Sequence, residues 1–299
     1  MLKDDPLSAL LRQLQFSARV IFRDGYCGGW AVDTSGTQQI PFHLVCQGEG
    51  WLHGDTERPQ RLLAGQLVFF PQDSSHVLAA SAEPPAQTTI NAPPPARLEG
   101  NITRLVCGYF EFDQRAAAPL LSALPATMIL DLSRADDPST RELVNLWMRE
   151  AAADNIGSNL AVDRLAELIF VQMLRHEIAG GALRGVLGAL GDTHLGPVLA
   201  AIHAHPGSAH TQTKMAEAAG MSESNFNKKF KVATGMTPGA YVRHWRMQAA
   251  ASALRDTRRS MADIASEIGY ESEVAFRKAF STHFKVAPGT YRRRAREPS

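Results

Sequence analysis

The first half of the chain carries the hydrophobic pattern of short β-strands. Segments rich in β-branched and aromatic residues are separated by clusters of Gly, Pro and polar residues, as strands are by turns. These segments are Arg19–Phe22, Gly29–Asp33, His43–Cys46, Leu67–Phe70 and Arg104–Phe112. Many short strands of this kind predict a small sandwich or barrel rather than a parallel sheet. The Pro-rich stretch 82–100 lacks apolar periodicity and predicts a surface loop.

The apolar spacing becomes helical after Pro125. Leu143 and Trp147 lie one helical turn apart, and residues 160–178 are apolar on most sides, so we expect these helices to pack on the sheet or to pair two subunits. Glycines at 185, 188 and 191 predict a linker. The sequence therefore predicts an α+β chain of two domains. Residues 1–185 form a β-barrel or sandwich with following helices, and residues 193–299 form an all-α domain.

The C-terminal region contains an internal repeat. Residues 215–230 match residues 264–280, with an offset of 49 up to Gly220 and Gly269 and of 50 afterwards. In each copy a short Ala-rich helix and a Gly that permits a sharp turn are followed by Ser222 or Ser272, a residue type that caps the start of a helix. This order predicts a helix-turn-helix unit in each copy.

The second helix of each copy has an apolar and a polar face. Phe226 and Phe230, like Phe276 and Phe280, lie four residues apart, so both rings of each pair point into the core. The opposite face has the polar and basic character needed to read base edges in the major groove. Its candidate DNA-binding residues are Ser224, Asn227, Lys228, Lys231, Glu273, Arg277 and Lys278. In one copy alone an ordinary solvated face explains the pattern equally well, and the in-register repeat favours DNA binding.

The charge distribution favours the same interpretation. Residues 191–299 hold 16 Lys and Arg against 9 Asp and Glu, and residues 1–190 hold 15 against 21, within a net charge of +1. This asymmetry is typical of a nucleic-acid-binding domain joined to a domain with another task. Three cysteines are too few for a secreted disulfide scaffold, no apolar run reaches the ~18 residues of a membrane span, and no signal-peptide pattern is present. We expect a cytoplasmic protein without a membrane partner.

Three motifs follow one another in the C-terminal region. They are Ala-x-x-x-Gly-Met-Ser-x-x-x-Phe from Ala216, Gly-Met-Thr-Pro from Gly235, and Ile-Ala-x-x-x-Gly-Tyr-x-Ser-x-x-x-Phe-x-x-x-Phe from Ile264. Residues 195–294 thereby resemble the DNA-binding domain of the AraC/XylS family of bacterial transcription regulators. The resemblance implies two helix-turn-helix units on a linking helix that grip adjacent major-groove segments.

The resemblance also assigns DNA contacts by position. The positions that match the family's contacting places are Ser224, Asn227, Lys228, Arg277 and Lys278. Lys228 and Lys278 stand where many members carry Arg, which weakens the expectation of bidentate guanine reading there.

A different pair of motifs lies in the first half. Gly65-x5-Pro71-x-Asp73-x2-His76 is similar to the second cupin motif, with Asp73 in place of its usual Gly, and Phe42-His43-Leu44-Val45 keeps one His of the first motif. The first half thus resembles the cupin sensor domain of some AraC-type regulators. His43 and His76 are candidate metal ligands, and the residues that could complete the set are Cys46, Glu49, His53 and Cys107. Two ligands rarely make a metal site, so we prefer hydrogen-bonded histidines, leave a sensing metal open and assign no cofactor.

Cys27 and Cys107 are candidate redox sensors. Cys27 lies in a glycine-flanked segment, Gly-Tyr-Cys-Gly-Gly-Trp, which predicts an accessible turn. Some cupin-bearing members of the family respond to reactive chlorine or other oxidants through cysteines near the start and in a late barrel strand, and Cys27 and Cys107 match those places. The alternative is that the thiols are inert and that a small molecule in the barrel is the signal.

The sequence therefore predicts a sequence-specific DNA-binding transcription regulator and not an enzyme. Its cupin-like domain is expected to sense an oxidant or a small molecule and to control promoter binding. Expected partners are double-stranded promoter DNA, the effector, RNA polymerase and a second copy of the chain. We expect an activator, although the sequence does not decide between activation and repression. Two alternatives remain open, a metal-dependent cupin enzyme with an accessory DNA-binding domain and a nucleoid protein without sequence preference.

Overall fold

The computed structural model describes residues 5–54, 58–112, 117, 121, 124–132, 137–153, 155–181 and 183–294. These residues form two compact units. One comprises the described residues of Gln15–Glu177, and the other those of Met1–Leu14 together with those of Ile178–Ser299. The second unit therefore draws on both ends of the chain. The limits 1–185 and 193–299 for independently folding domains stay a prediction.

The elements are numbered in chain order. The strands are β1 (Ser17–Cys27), β2 (Ala31–Val32), β3 (Ile40–Gln47), β4 (Glu49–His53), β5 (Gln60–Leu63), β6 (Gln66–Phe69), β7 (Val77–Ala79), β8 (Ile102–Glu111) and β9 (Met128–Asp131). The helices are α1 (Pro6–Gln13), α2 (Pro138–Ala152), α3 (Ser158–Ala179), α4 (Gly185–Gly191), α5 (Leu195–Ala204), α6 (Gln212–Ala218), α7 (Glu223–Thr234), α8 (Pro238–Asp256), α9 (Met261–Glu267), α10 (Glu273–Phe284) and α11 (Pro288–Arg294). In the part of the chain that the structure describes, no single helix is long and apolar enough to cross a membrane, and α4 and α5 meet that length and composition only as a pair bent by 108°.

The unit Gln15–Glu177 is built on two antiparallel sheets. One has the strand order β1-β8-β3-β6-β9 and the other the order β2-β7-β4-β5. Val45 and Leu105 of the first sheet share a core with Leu52, Leu62 and Leu78 of the second. This arrangement confirms the predicted sandwich. The short strands β4, β5, β7 and β9 add to the five predicted segments. The Pro-rich stretch contains a 3-10 turn at Gln87–Thr89 and an isolated parallel bridge from Ile90 to Ala31.

Helices α2 and α3 pack in the same unit as the larger sheet. The Phe170 ring of α3 lies 4.6 Å from the Phe110 ring of β8, centroid to centroid. Trp147 of α2 is fully buried and donates its indole N–H to the Val162 carbonyl of α3 at 3.0 Å. One of the two expectations for these helices, packing on the sheet, is therefore met. Three leucines of the same helices keep more than a third of their surface exposed: Leu146, Leu160 and Leu168.

The glycine-rich passage that predicted a linker forms helix α4 instead. Leu187 is buried there, and the helix packs against α5 and α7. A Cβ at position 188 would collide with the carbonyl oxygen of Leu183. The prediction of a linker was wrong at this point because the glycine permits close packing of the backbone rather than freedom of the chain.

Helix α1 completes the C-terminal unit. Leu7, Leu10 and Leu11 are buried, and α1 packs on α5 and α8. The buried His203 of α5 donates from Nδ1 to the Pro6 carbonyl at 3.2 Å and accepts at Nε2 from the Tyr241 hydroxyl of α8 at 2.8 Å. Burial lowers the pKa of His203 to about 4, which favours the neutral form that these two bonds require.

Leu10→Ala is expected to loosen the C-terminal unit, although residue 10 precedes the first strand. Truncation of a buried leucine costs about 2–5 kcal/mol, so amide hydrogen exchange in α5 and α8 should become faster while exchange in β3 and β8 stays the same. Val232→Ala is the matched control, because Val232 lies in the same unit and is 81% exposed. Wild-type exchange in α5 and α8 of the Leu10→Ala chain would contradict the docking of α1.

Candidate DNA-recognition surface and sensor sites

The second helices of the two repeat copies, α7 and α10, begin in the same way. Gly220 and Gly269 adopt left-handed φ angles of 63° and 79° in the turns before them, a conformation that glycine adopts without strain. The Ser222 hydroxyl accepts from the Asn225 N–H at 3.5 Å, and Ser272 accepts from Ala275 at 3.2 Å. Both serines therefore satisfy backbone donors that the helix leaves unpaired, as the repeat predicted.

Burial of the phenylalanines sets the orientation of both helices. Phe226, Phe230, Phe276 and Phe280 are completely buried, and the rings of each pair lie 5.4 and 5.6 Å apart. The opposite faces point to solvent. Of the seven predicted contact residues, five are exposed and two are half-buried: exposed are Ser224, Lys228, Lys231, Arg277 and Lys278, and half-buried are Asn227 and Glu273.

The first residue of α7 and that of α10 form different contacts. Glu223 accepts from the Thr213 hydroxyl at 2.5 Å and from the Gln212 amide at 3.2 Å, which ties α7 to α6. Glu273 instead accepts from Nε and Nη2 of Arg277, each at 2.6 Å. The second copy therefore holds its principal candidate for base reading in an ion pair on the same helix.

Val274 is a surface position that the sequence analysis missed. Its side chain is 78% exposed, although valine is usually buried. With the offset of 50 residues that applies after the turn, Val274 occupies the position of Ser224 in the first copy. The alignment of the two repeat copies places Val274 on the outward face, but an aliphatic residue does not fit the polar and basic pattern expected of that face.

The two candidate metal ligands of the sandwich lie together around a threonine hydroxyl. His43 and His76 are buried, and their Nε2 atoms lie 3.2 Å apart. The Thr34 hydroxyl lies 3.1 Å from His43 Nε2 and 3.0 Å from His76 Nε2. His76 donates from Nδ1 to the Ser74 carbonyl at 2.8 Å, so its Nε2 is the acceptor in the triad. Burial lowers the pKa of both histidines, that of His43 to about 3.

Two of the four residues proposed to complete a metal site, Glu49 and His53, have other partners. Glu49 pairs with Arg61, and His53 lies 3.0 Å from the Ser81 carbonyl. The described residues contain no group of three or more His, Cys, Asp or Glu side chains arranged to hold a metal ion. Asp73 stands at a left-handed φ of 51°, where the cupin motif has Gly, and its carboxylate accepts from the N–H groups of Gly36 and Gln38 at 3.1 and 2.6 Å.

The two candidate redox cysteines are not brought together. Cys27 is the last residue of β1 rather than part of a turn, and its thiol lies 3.8 Å from the Arg97 carbonyl. In the antiparallel β1–β8 pair, Cys27 faces Ile102 and Cys107 faces Phe22. Five steps along the ladder separate the cysteines by about 16 Å, whereas a disulfide requires Cα atoms within about 7 Å.

The other two thiols are held in their protonated form. Burial, followed by the nearby Cys46 thiol, raises the pKa of Cys107. Burial raises the pKa of Cys46 to about 12, against a smaller opposing effect of Arg104. Because the thiolate is the reactive species, neither cysteine is activated in this conformation.

A cavity of about 860 Å³ lies at one end of the sandwich, beside Cys27. Its lining includes Gly28, Trp30, Gly48, Glu49, Asn101 and Thr103. The interior of the sandwich itself is filled by the apolar core. Space for a small molecule is therefore found at this end rather than between the sheets, and also in a second pocket of about 490 Å³ whose lining includes Ile129 of β9 and Met173 of α3.

Comparison with known proteins gives the relationship of the whole chain. Residues 5–179 match the family model of the cupin, and residues 215–294 match that of a helix-turn-helix domain. An HTH-type transcriptional regulator of Haemophilus influenzae is 30% identical, over 97% of this chain and 98% of its own. The chain belongs to the AraC family of transcription regulators. The C-terminal unit of the regulator thus binds DNA, and the N-terminal unit is its cupin-like domain, as predicted.

Two further proteins are similar to the regulator. The RCS-specific HTH-type transcriptional activator RclR of Escherichia coli is 29% identical, over 86% of each chain. The DNA-binding domain of AdpA, solved in complex with a target DNA, is 28% identical and corresponds to 36% of this chain and 99% of its own, with a TM-score of 0.34.

Proposed function

We propose that the outward faces of α7 and α10 read promoter DNA in two adjacent major-groove segments. The observation that carries this proposal is the shared geometry of the two helices, each capped by a serine and rotated by a buried phenylalanine pair. Asn227 and Arg277 are assigned to base edges, Asn to adenine and Arg to guanine. Ser224 and the lysines 228, 231 and 278 contact the sugar-phosphate backbone or neighbouring bases.

Glu273 and Val274 refine the reading by the second unit. The Glu273 carboxylate holds the Arg277 guanidinium in place, and on DNA it accepts from a cytosine N4 amine beside the guanine that Arg277 reads. Val274 has no polar atom to offer, and its exposed methyl groups suit the C5-methyl of thymine. The two copies of the repeat therefore prefer different bases.

Recognition-face variants are expected to separate into two kinds. Arg277→Ala and Asn227→Ala each remove a base contact worth about 1–3 kcal/mol and relax the preference at one base pair. Lys231→Ala removes a phosphate contact, so it weakens binding to all sequences alike and lowers the slope of log affinity against log salt by about one unit. Binding to the preferred and to scrambled DNA over a salt series measures both effects. Wild-type affinity and preference in the Arg277→Ala and Asn227→Ala chains would contradict the assignment.

We propose that the cupin-like domain senses an oxidant through Cys27, with Cys107 as the resolving thiol. The relative RclR is an RCS-specific activator, and Cys27 is a partly accessible thiol at the end of a strand beside the cavity. A two-electron oxidant converts the Cys27 thiolate to a sulfenic acid. The Cys107 thiol loses its proton once the strands open, and its attack on the Cys27 sulfur forms a disulfide and expels hydroxide, which takes up that proton to give water. Closure over about 16 Å requires this end of the β1–β8 ladder to open, and that rearrangement would be the signal.

Cys27→Ser is expected to abolish the oxidant response of the promoter. Peptide maps of the treated wild-type chain should contain a Cys27–Cys107 disulfide, and Cys46→Ser serves as the control that keeps both proposed partners. An unchanged response of Cys27→Ser together with absence of that disulfide would refute the redox proposal. A small molecule in the 860 Å³ cavity would then be the candidate effector.

The remaining assignments follow from this role. We propose that the regulator acts in the cytoplasm as an activator that contacts RNA polymerase, that it is not an enzyme and needs no cofactor, and that α2 and α3 pair two copies through their exposed leucines. His43 and His76 are assigned to a hydrogen-bonded triad with Thr34 rather than to a metal. Metal analysis of the purified chain separates this from the metal-dependent enzyme, since an enzyme of that kind requires stoichiometric metal.

A further inference from the structure

Helix α8 supplies the core of both helix-turn-helix units. In its N-terminal half, the Tyr241 ring lies 5.5 Å from Phe230 of the first unit. In its C-terminal half, Met247 and Leu254 share a core with Phe276 of the second unit. Arg246 is the residue at which α8 passes from one core to the other, and it is only partly exposed.

The Arg246 guanidinium binds backbone carbonyls of both units. Its Nε donates to the Pro206 carbonyl at 2.7 Å, and Nη2 donates to Ser208 at 2.9 Å, in the segment between α5 and α6. Its Nη1 donates to the Gly269 carbonyl at 3.4 Å, in the turn between α9 and α10. The Arg246 guanidinium thus connects α8 to the segment that precedes the first helix-turn-helix unit and to the turn of the second.

The same two segments touch each other directly. A Cβ at Gly207 would collide with the carbonyl oxygen of Glu267, and a Cβ at Gly269 would collide with the carbonyl oxygen of Gly207. Gly220, the turn glycine of the first copy, has open space around its α-carbon instead. The repeat therefore does not explain the crowding at Gly269, which belongs to a contact between the two units.

We infer that Arg246 is a positioning residue that fixes the orientation of one reading helix relative to the other and thereby sets the spacing of DNA half-sites that the regulator accepts. This inference rests on the proposed reading of DNA by both units. Arginine suits the task because its fork of donors serves several carbonyls at once, whereas lysine offers a single charged centre. Arg246 need not touch DNA to determine which operators are bound.

A fixed pair of reading helices is sensitive to operator spacing. One base pair inserted between the half-sites moves the second by ~3.4 Å and rotates it by about 35° around the DNA axis. If α7 and α10 are held rigidly, one of them then loses its contacts in the groove. If they are joined only by α8, their relative orientation can change and both helices keep their contacts. Spacing selectivity, rather than affinity alone, is the property that Arg246 is expected to control.

The first test measures the distance between the two helix-turn-helix units in the absence of DNA. Spin labels at Val232→Cys and Val274→Cys, positions 81% and 78% exposed, report the distance between α7 and α10 in the full chain with Cys27→Ser, Cys46→Ala and Cys107→Ala. We expect a narrow distance distribution with Arg246 and a broader or shifted one with Arg246→Gln and with Arg246→Lys. Arg243→Gln, an exposed arginine one turn earlier on α8, is the matched control. Distributions unchanged in both Arg246 variants would overturn the inference.

The second test measures spacing selectivity with folded variants, checked by circular dichroism. The affinity for an operator recovered by selection is divided by the affinity for the same operator with one inserted base pair. We expect a ratio of about tenfold or more for wild type and Arg243→Gln, as for the loss of a base contact, and a ratio within about threefold for both Arg246 variants. A wild-type ratio in those variants would overturn the inference, even if their affinity falls. If the wild type selects no operator at all, the proposed function fails, and the distance measurement still decides the role of Arg246.

Discussion

The burial of two phenylalanine pairs determines which faces of α7 and α10 the regulator exposes to solvent. Each buried Phe contributes about 1.5–3 kcal/mol, and the four rings at positions 226, 230, 276 and 280 are fully buried. Because the rings of a pair lie one turn apart on the same side of a helix, their burial sets the rotation of α7 and α10. The outward face of each helix, and so the set of residues offered to a groove, is a consequence of that rotation.

The shared helix α8 extends this constraint from one unit to two. Each half of α8 packs in the core of a different helix-turn-helix unit. Arg246 lies at the boundary between the two cores, and so does the contact between Gly207 and Gly269. The two helix-turn-helix units are therefore in direct contact and are not joined by a linker alone. Their relative geometry depends on side-chain packing along both halves of α8 and on the hydrogen bonds that the Arg246 side chain donates to backbone carbonyls at its middle.

Much of this arrangement was predictable from local sequence signals, and the failures have physical reasons. The repeat, the serine caps and the Phe spacing are short-range features, and they indicated the starts and the buried faces of α7 and α10 correctly. Docking of α1 depends on contacts such as the one between Pro6 and His203, which are almost two hundred residues apart, and no local pattern contains such a contact. Gly188 was mistaken for a linker residue because the sequence does not distinguish a glycine that is flexible from one that is crowded. Val274 was passed over because exposure of an aliphatic residue is visible only in the fold.

The candidate sensor was predictable as a set of residues but not as an arrangement. His43 and His76 do meet, around Thr34, whereas the register of β1 and β8 holds Cys27 and Cys107 five steps apart. Strand register is set by the whole ladder, so residue identity alone did not reveal that separation. A redox signal through these cysteines must therefore include a change of strand pairing.

If two linked helices read two neighbouring stretches of one promoter, the regulator must protect two segments of its operator. Genomic fragments retained by the purified regulator are to be sequenced and then footprinted with hydroxyl radicals. We expect a shared sequence with two protected segments on one face of the duplex, about one helical turn apart. Fragments without a common sequence, or a single protected segment, would contradict it.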